Sequence, residues 1–501
     1  MAEDEFELIS MADIARLAGE SRATVGNWKS RNPDDFPPER GRSPRGPMYD
    51  RAETMRWLEG KGRLDARPRE VLAVWHLLDG LRGELDVEDA TALILVLLAM
   101  RVENAASAWG RLRTTAPSEL DDALRSVVHA DAQSDPDLLP RAPVPARVLA
   151  EVVTTLDSLN PADTPAMADA LLERAAKTMG HRGGEYLSPP SVRRLIIGIA
   201  DPTGIVYNPA CGIGQLLIDA AQAAGPQASR LVAQEVNQRV WSMAKANLLL
   251  HDVAAEVELG NVFTEDRFPD LRADRVIAIP PWNQRLRELR FLDDARWTWG
   301  EPGERDGNSA WIQHCLYHLA DDGRAVLAMP NGVLFEGARG GRIRQRIIRA
   351  GLLDAVISLP GGSFQWTGIQ CSLLVFVKGR PTINGKPAPT LMVDLTGDGP
   401  QVAGSRQAAL DGATVDEAIA LYQTWVAGGD PTDSRAAVAA FDTLVDNDYV
   451  IDPGRYLARA ELPSVGDLTA KRSTLIDELG NLMFSSKRAD DELRSLLERD
   501  R

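Results

Sequence analysis

The sequence predicts an α/β fold with a Rossmann-like sheet in its second half, preceded by an all-helical segment and a small amino-terminal helix-turn-helix unit. Three observations carry this expectation. An apolar run, Gly204-Ile-Val-Tyr207, opens through Asn208-Pro209-Ala210-Cys211-Gly212-Ile213-Gly214 into the helical stretch Gln215-Leu-Leu-Ile-Asp-Ala-Ala221. A second apolar run, Ala273-Asp-Arg-Val-Ile-Ala-Ile279, stops abruptly at Pro280-Pro281-Trp282. Residues 66–180, by contrast, read as helices interrupted by Pro-rich connectors.

Composition sets the outer limits. A chain of 501 residues with 44% hydrophobic content buries a large core and should divide into about three or four domains. A net charge of −16 excludes a generally basic nucleic-acid coat, although a local basic patch still suffices to hold DNA. Cys211, Cys315 and Cys371 are widely spaced and form no metal-ligand pattern, which fits reduced thiols in the cytoplasm and no metal site. The chain opens without a secretion-type signal, and its longest apolar run, Thr91 to Met100, is too short to span a bilayer and reads as a buried helix.

The expected organisation starts with a DNA-binding unit over residues 1–65. Met11-Ala-Asp-Ile-Ala-Arg-Leu-Ala-Gly19 is a short amphipathic helix, and a second begins after Ser21, a suitable N-cap. In this helix-turn-helix spacing Ile14, Leu17, Val25 and Trp28 pack between the helices, leaving Arg22, Thr24, Asn27 and Lys29 outward on the candidate recognition helix. The Pro/Gly-shaped stretch from Phe36 to Tyr49 then reads as a wing carrying Arg40, Arg42 and Arg45, and Arg51 to Leu58 closes the unit as a helix. A solvated charged face would also account for those arginines. With Tyr49-Asp50-Arg51 at the wing-to-helix junction, the unit resembles the winged helix-turn-helix of MerR and excisionase proteins. Such units commonly hold DNA through its phosphates, so sequence readout is not implied.

Residues 66–180 form the expected helical domain, with apolar runs such as Val71 to Leu78 and Ala166 to Leu172 and connectors at Pro136 to Pro145. Helical bundles serve many purposes, so this part alone points to no activity.

The third domain, 181–460, carries the chemistry. Glycines where a strand turns into a helix let the backbone curl tightly and approach a ligand without an intervening Cβ. Gly212 and Gly214 are placed to do this, and the Asn-Pro-Ala-Cys start differs from the dinucleotide fingerprint and points to S-adenosylmethionine. At the other strand end, prolines fix φ and stop the strand. Trp282 is then either a core tryptophan in a turn or a flat ring at the sheet's carboxyl edge, where α/β folds bind ligands and where a flipped base stacks.

In its order of signals this domain resembles the adenine-N6 DNA methyltransferases, specifically the methylation subunits of type I restriction-modification systems. Gly184-Glu-Tyr186-Leu-Ser188-Pro-Pro is similar to the segment that lies over the methionine end of the cofactor. The turn Asn208, Ala210, Cys211, Gly212 and Gly214 follows. Glu235 matches the acid that grips the ribose hydroxyls, and Asn261 and Val262 stand where the family contacts the cofactor's adenine. Later strands resemble Gly323 to Phe335 and Leu352 to Phe364, and Asn447 to Tyr456 resembles the closing segment. The resemblance implies a Rossmann-like S-adenosylmethionine-dependent methyltransferase with Ile279, Pro280, Pro281 and Trp282 as its catalytic turn.

One departure matters. The family's turn begins with asparagine, whose side-chain oxygen accepts a hydrogen bond from the target amine; Ile279 accepts none. Losing one preorganised group of this kind costs about 3–4 kcal/mol, or ~10²–10³ in rate. Asn208 and Asn261 likewise stand where the family has acids, and Asn283 and Gln284 are candidate substitute amides. Two functions therefore remain: a site-specific adenine methyltransferase acting on double-stranded DNA within a restriction-modification or related defence assembly, and a catalytically impaired relative that binds DNA and cofactor.

In the last segment, 461–501, Leu475, Leu482, Ala489 and Leu496 recur every seven residues. The period fits a coiled-coil helix or one folded back on its own domain. By resemblance this is where a specificity subunit docks.

Overall fold

The first strand and helices already show what the turn residues dictate. The computed structural model describes residues 8–457, apart from 19–21, 32, 34, 44–45, 62–68, 82, 104–107, 131–138, 141–142, 180–187, 287–293, 365–366 and 399–409. Strand β1 (Leu8–Ser10), helices α1 (Met11–Leu17) and α2 (Arg22–Arg31), strands β2 (Glu39–Ser43) and β3 (Gly46–Asp50), and helix α3 (Arg51–Gly60) come first. The three strands form an antiparallel sheet ordered β1-β3-β2. Ile14, Val25, Phe36 and Tyr49 are buried at its centre, with Leu17 and Trp28 packed against them, as the helix periods require.

Six helices follow: α4 (Arg69–Gly80), α5 (Val87–Glu103), α6 (Ala108–Thr114), α7 (Leu120–Ala130), α8 (Ala146–Asp157) and α9 (Thr164–Met179). Residues 91–100 of α5 are buried all round, so the apolar run is the hub of this bundle. Among the described residues no helix is long and apolar enough to cross a membrane.

The sheet region opens with α10 (Pro190–Ala200) and β4 (Gly204–Asn208), then α11 (Gln215–Ala224), β5 (Ala228–Glu235), α12 (Gln238–Leu250), β6 (Glu256–Leu259) and β7 (Ala273–Ala278). It continues through α13 (Gly307–Tyr317), β8 (Leu319–Pro330), α14 (Gly332–Phe335), α15 (Ala338–Arg349), β9 (Leu353–Ser358), β10 (Cys371–Val377) and the short hairpin β11 (Thr382–Ile383) and β12 (Lys386–Pro387). Strand β13 (Thr390–Asp394), α16 (Gly412–Val426), β14 (Ala436–Ala439) and α17 (Phe441–Asp446) complete it.

Nine strands align as β14-β13-β9-β10-β8-β7-β4-β5-β6. Strands β6, β5, β4, β7 and β8 are parallel, and β10 runs antiparallel between β8 and β9. From β4 the chain moves outward one way through β5 to β6, and from β7 it moves the other way to β8. The order therefore reverses between β4 and β7, which is where open α/β sheets leave a ligand crevice.

The helical segment shares a core with this sheet region. Val240, Met243, Ala246 and Leu250 of α12 are buried with the residues of α5 and α9, and Arg239 pairs with Asp89. Residues up to Arg455 form one compact unit.

Candidate active site

The site is built at the carboxyl ends of β4, β5 and β7. Asn208 is buried at the end of β4, and its Oδ1 accepts the Ala210 N–H at 3.1 Å, which starts the turn. Gly212 and Gly214 follow with φ of 55° and 81°, in the left-handed region that other residues enter only at a cost of about 1–2 kcal/mol. A Cβ on Gly214 would also meet Leu248 Cγ at 3.3 Å, so the missing side chain lets the start of α11 pack closely on α12. The Cys211 N–H donates to Gln234 O at 3.1 Å, lacing the turn to β5. Cys211 is buried in the sheet core and does not line the cavity, and desolvation raises its thiol well above the usual range, so it packs there as a neutral apolar group.

Glu235 ends β5 and is nearly fully buried. Its Oε2 accepts the Gly212 N–H at 3.0 Å, and its Oε1 accepts the N–H groups of Val236 and Asn237, each at 2.9 Å. One carboxylate thus fixes the glycine turn and its own strand end. Burial pushes its pKa up, opposed by the three N–H donors. The sign follows: a raised acid contributes stability that is complete below the unfolded value and is lost as pH rises through the folded value. At neutral pH the protein carries the anion at that cost, and gains a strong acceptor for hydroxyl groups. Cofactor affinity is expected to weaken on acidification with a midpoint above the ordinary glutamate value of 4.5. Calorimetry across pH checks this, and Glu235→Gln should flatten the dependence; a wild-type profile that is flat down to the ordinary value would remove Glu235 from the site.

The third wall comes from the loop after β6. Gly260 N–H donates to Glu235 O at 2.9 Å, and Asn261 Oδ1 accepts the Phe263 N–H at 3.0 Å. Asn208 and Asn261 therefore both use their side chains to shape turns, a task a neutral amide performs as well as an acid.

Pro280, Pro281 and Trp282 continue from β7. The Trp282 Nε1–H donates to Ala328 O at 3.0 Å, and its ring meets Phe364 edge-to-face at 5.1 Å and 80°. Core packing fixes one side of the indole, while the residue also lines the cavity. Ile279, half-buried, packs on the same core cluster.

These walls enclose a single cavity of about 330 Å³, lined by Ala210, Gly212, Glu235, Asn261, Val262, Ile279, Pro280, Pro281, Trp282 and Gln284 among others. That volume is at the low end of the range for small-molecule sites. Of the two candidate substitute amides, Gln284 reaches the lining, with Oε1 accepting from Trp311 Nε1 at 3.2 Å. Asn283 is exposed and exchanges hydrogen bonds with Asn308 instead. Ser188 is described beside α10, where its carbonyl accepts from Arg193 at 2.8 Å; Tyr186 lies outside the described residues.

Arg296 gave no signal in the sequence. It is buried beneath the loop after β6, where its guanidinium donates to Val262 O at 2.6 Å and Phe263 O at 3.2 Å, grips Asp294, and reaches His314 Nδ1 at 3.2 Å. His314 in turn meets the Tyr207 hydroxyl at 3.2 Å, and burial holds its pKa well below the usual histidine range. Asp266, His314 and His318 bring their ligand atoms within 4.8 Å of one another, and His318 is already engaged by Asp266 at 2.9 Å and Leu271 O at 3.1 Å. Arg296 sits in an irregular stretch without periodicity, and only the fold reveals its two carbonyl partners.

The amino-terminal candidates separate. Asn27 and Arg42 are exposed, and Thr24 is half-buried. Lys29, expected outward, instead turns back: its Nζ bonds Glu39 Oε1 at 2.5 Å and the Tyr49 hydroxyl at 3.0 Å, because β2 brings a carboxylate beside it. Arg40 pairs with Glu53 at 3.0 Å. Arg45 and the side chain of Arg22 lie outside the described residues, as does the whole of 461–501.

The family model for N-6 DNA methylases matches residues 166–463. Among curated proteins, the chain is 28% identical over 305 residues to the type I restriction enzyme HindI methylase subunit of Haemophilus influenzae, covering 58% of this chain and 67% of that one. It is 25% identical to the MjaIX methylase subunit of Methanocaldococcus jannaschii, covering 65% of this chain and 61% of the relative. Among solved structures, the methyltransferase subunit of a type I restriction-modification system from Streptococcus thermophilus superposes with a TM-score of 0.66 at 20% identity, covering 77% of this chain and 98% of the other. A chain from a study of type I restriction-modification complex assembly gives 0.64 at 19%, covering 87% and 100%.

Proposed function

The chain belongs to the N-6 DNA methylase family, and from that premise we propose that it transfers the methyl group of S-adenosylmethionine to the exocyclic N6 amine of adenine in double-stranded DNA, as the modification subunit of a restriction-modification system. One observation carries the reading: the glycine turn, Glu235, Asn261 and the Ile279 to Trp282 turn line the same cavity. The residues fit the cofactor, since Gly212 leaves the wall without a Cβ and Glu235 supplies a buried acceptor at a strand end. When bound, S-adenosylmethionine supplies an electrophilic methyl group.

The protein's own residues supply position. Gly212, Gly214, Glu235, Asn261 and Val262 would hold the cofactor, with Arg296 keeping the Val262 and Phe263 backbone in place. Trp282 offers the target base a ring whose orientation is already set by Ala328 and Phe364. In this proposal Gln284, which lines the cavity, assists the amine where Ile279 has no acceptor. Transfer of label from the cofactor to N6 of adenine in duplex DNA tests the reading.

Ile279 also favours a second reading, in which the protein binds DNA and cofactor without efficient turnover. Cofactor and DNA binding with no labelled product would select it.

The amino-terminal 65 residues serve in this proposal as a winged helix-turn-helix that holds DNA. The β2-β3 hairpin after two packed helices and the exposed Arg42 and Asn27 support that role. Arg42→Ala is expected to weaken binding similarly on all sequences and to lower the salt slope by about 1. An unchanged slope in a salt titration would assign Arg42 to a solvated face. Residues 461–501 dock a specificity subunit, which supplies target recognition, and the assembly works in the cytoplasm.

A further inference from the structure

Helix α15 carries five arginines in twelve residues of a chain whose net charge is −16. Its Ile343, Ile347 and Ile348 are buried against the sheet region, which fixes the roles of the polar positions. Arg344 is structural, donating to the carbonyls of Val333, Glu336 and Tyr449. Arg349 lies on the Tyr449 ring and bonds its hydroxyl at 2.8 Å.

Arg339, Arg342 and Arg346 remain, all exposed and spaced at three and four residues, so they form one stripe. With Trp299, Gly300 and Glu301 they line a recess of about 260 Å³. Arg346 is held by Trp299 O at 3.0 Å and Arg339 by Glu301 O at 3.3 Å, contacts that orient a guanidinium without neutralising it. The Glu301 carboxylate is exposed beside them, the nearest Asp306 oxygen is 4.0 Å from Arg339, and Arg342 has no ion pair among the described residues. Close to Asp306 in the chain, Glu304 O accepts the Leu286 N–H at 2.8 Å, which brings the segments of the exposed Arg285 and Arg305 together beside Gln284 of the cavity lining.

We propose that this stripe holds the phosphate backbone of the DNA strand that presents the target base, which rests on the DNA-methyltransferase reading above. Charge complementarity identifies the occupant. Oriented guanidiniums with few carboxylate partners are the surface expected for phosphate oxygens. From Arg339 to Arg346 the stripe runs ~10 Å along the helix axis, long enough to meet neighbouring phosphates of one strand. The stripe lies on α15, and Arg339 approaches Asp306 of the segment that also carries Glu304 and Arg305, so in this proposal DNA held there leads toward the cavity.

The test uses the full-length protein carrying both Arg342→Ala and Arg346→Ala, with duplex DNA titrated at several salt concentrations. The expected result is uniformly weaker binding on all sequences and a salt slope lower by about 2, with S-adenosylmethionine affinity and thermal stability unchanged. A salt slope and DNA affinity equal to wild type, in a preparation whose wild type methylates DNA, would overturn the proposal. So would retained DNA affinity with loss of binding to the specificity subunit, which would make the stripe a protein interface. If wild type itself neither binds nor methylates DNA, the parent reading fails instead, a result distinct from either of these.

Discussion

Replacing Ile279 by asparagine is expected to raise methyl transfer to DNA by ~10²-fold, because it restores one preorganised acceptor beside the target amine. The position is suited to the exchange. Ile279 is half-buried on the cavity wall, at the point where β7 gives way to the rigid Pro280-Pro281 turn, and the smaller asparagine needs no new space. The gain should appear in kcat with cofactor affinity little changed, since Gly212, Glu235 and Asn261 are untouched. If wild type is already efficient and the asparagine variant is slower, a different acceptor serves the amine, and Gln284→Ala then becomes the informative variant.

Replacing Gly212 by valine is expected to abolish measurable cofactor binding, a loss of at least ~10²-fold. Two costs combine. A β-branched residue is a genuine outlier at the observed φ of 55°, and its side chain would stand in the cavity wall where the backbone now approaches directly. Any backbone shift that relieves the strain also moves the Gly212 N–H off Glu235. Calorimetry reads the affinity, and far-UV circular dichroism shows that the fold persists. Unchanged affinity in a folded variant would mean that the turn is not the site.

Much of this site was legible in the sequence because each part has a local signature. The turn glycines, the acid closing β5 and the Pro-Pro stop after β7 are all features of a few consecutive residues, and each falls on the expected strand end. The helix periods around Ile14 and Val25 similarly place both residues in one small core. What was not legible depends on partners distant in the chain. Lys29 looks outward on α2 until β2 sets Glu39 against it. Arg296 belongs to no periodic element, yet it supports the cavity by bonding two carbonyls more than thirty residues earlier. The insertion of β10 antiparallel between β8 and β9 follows from strand pairing that no single segment encodes. The packing of α12 into the helical bundle was hidden for the same reason, since its apolar face serves two layers at once.

The central claim, that the cavity joining Glu235 to Trp282 methylates adenine, is tested most directly by one measurement. The full-length protein, with its specificity subunit, is incubated with methyl-labelled S-adenosylmethionine and duplex DNA, and the digested nucleosides are separated. Label is expected in N6-methyladenine, increased by Ile279→Asn and decreased ~5- to 150-fold by Trp282→Ala, the equivalent of the roughly 1–3 kcal/mol that stacking on a base contributes. Binding of both cofactor and DNA with no N6-methyladenine from either wild type or Ile279→Asn would contradict the claim and leave a protein that kept the fold without the reaction.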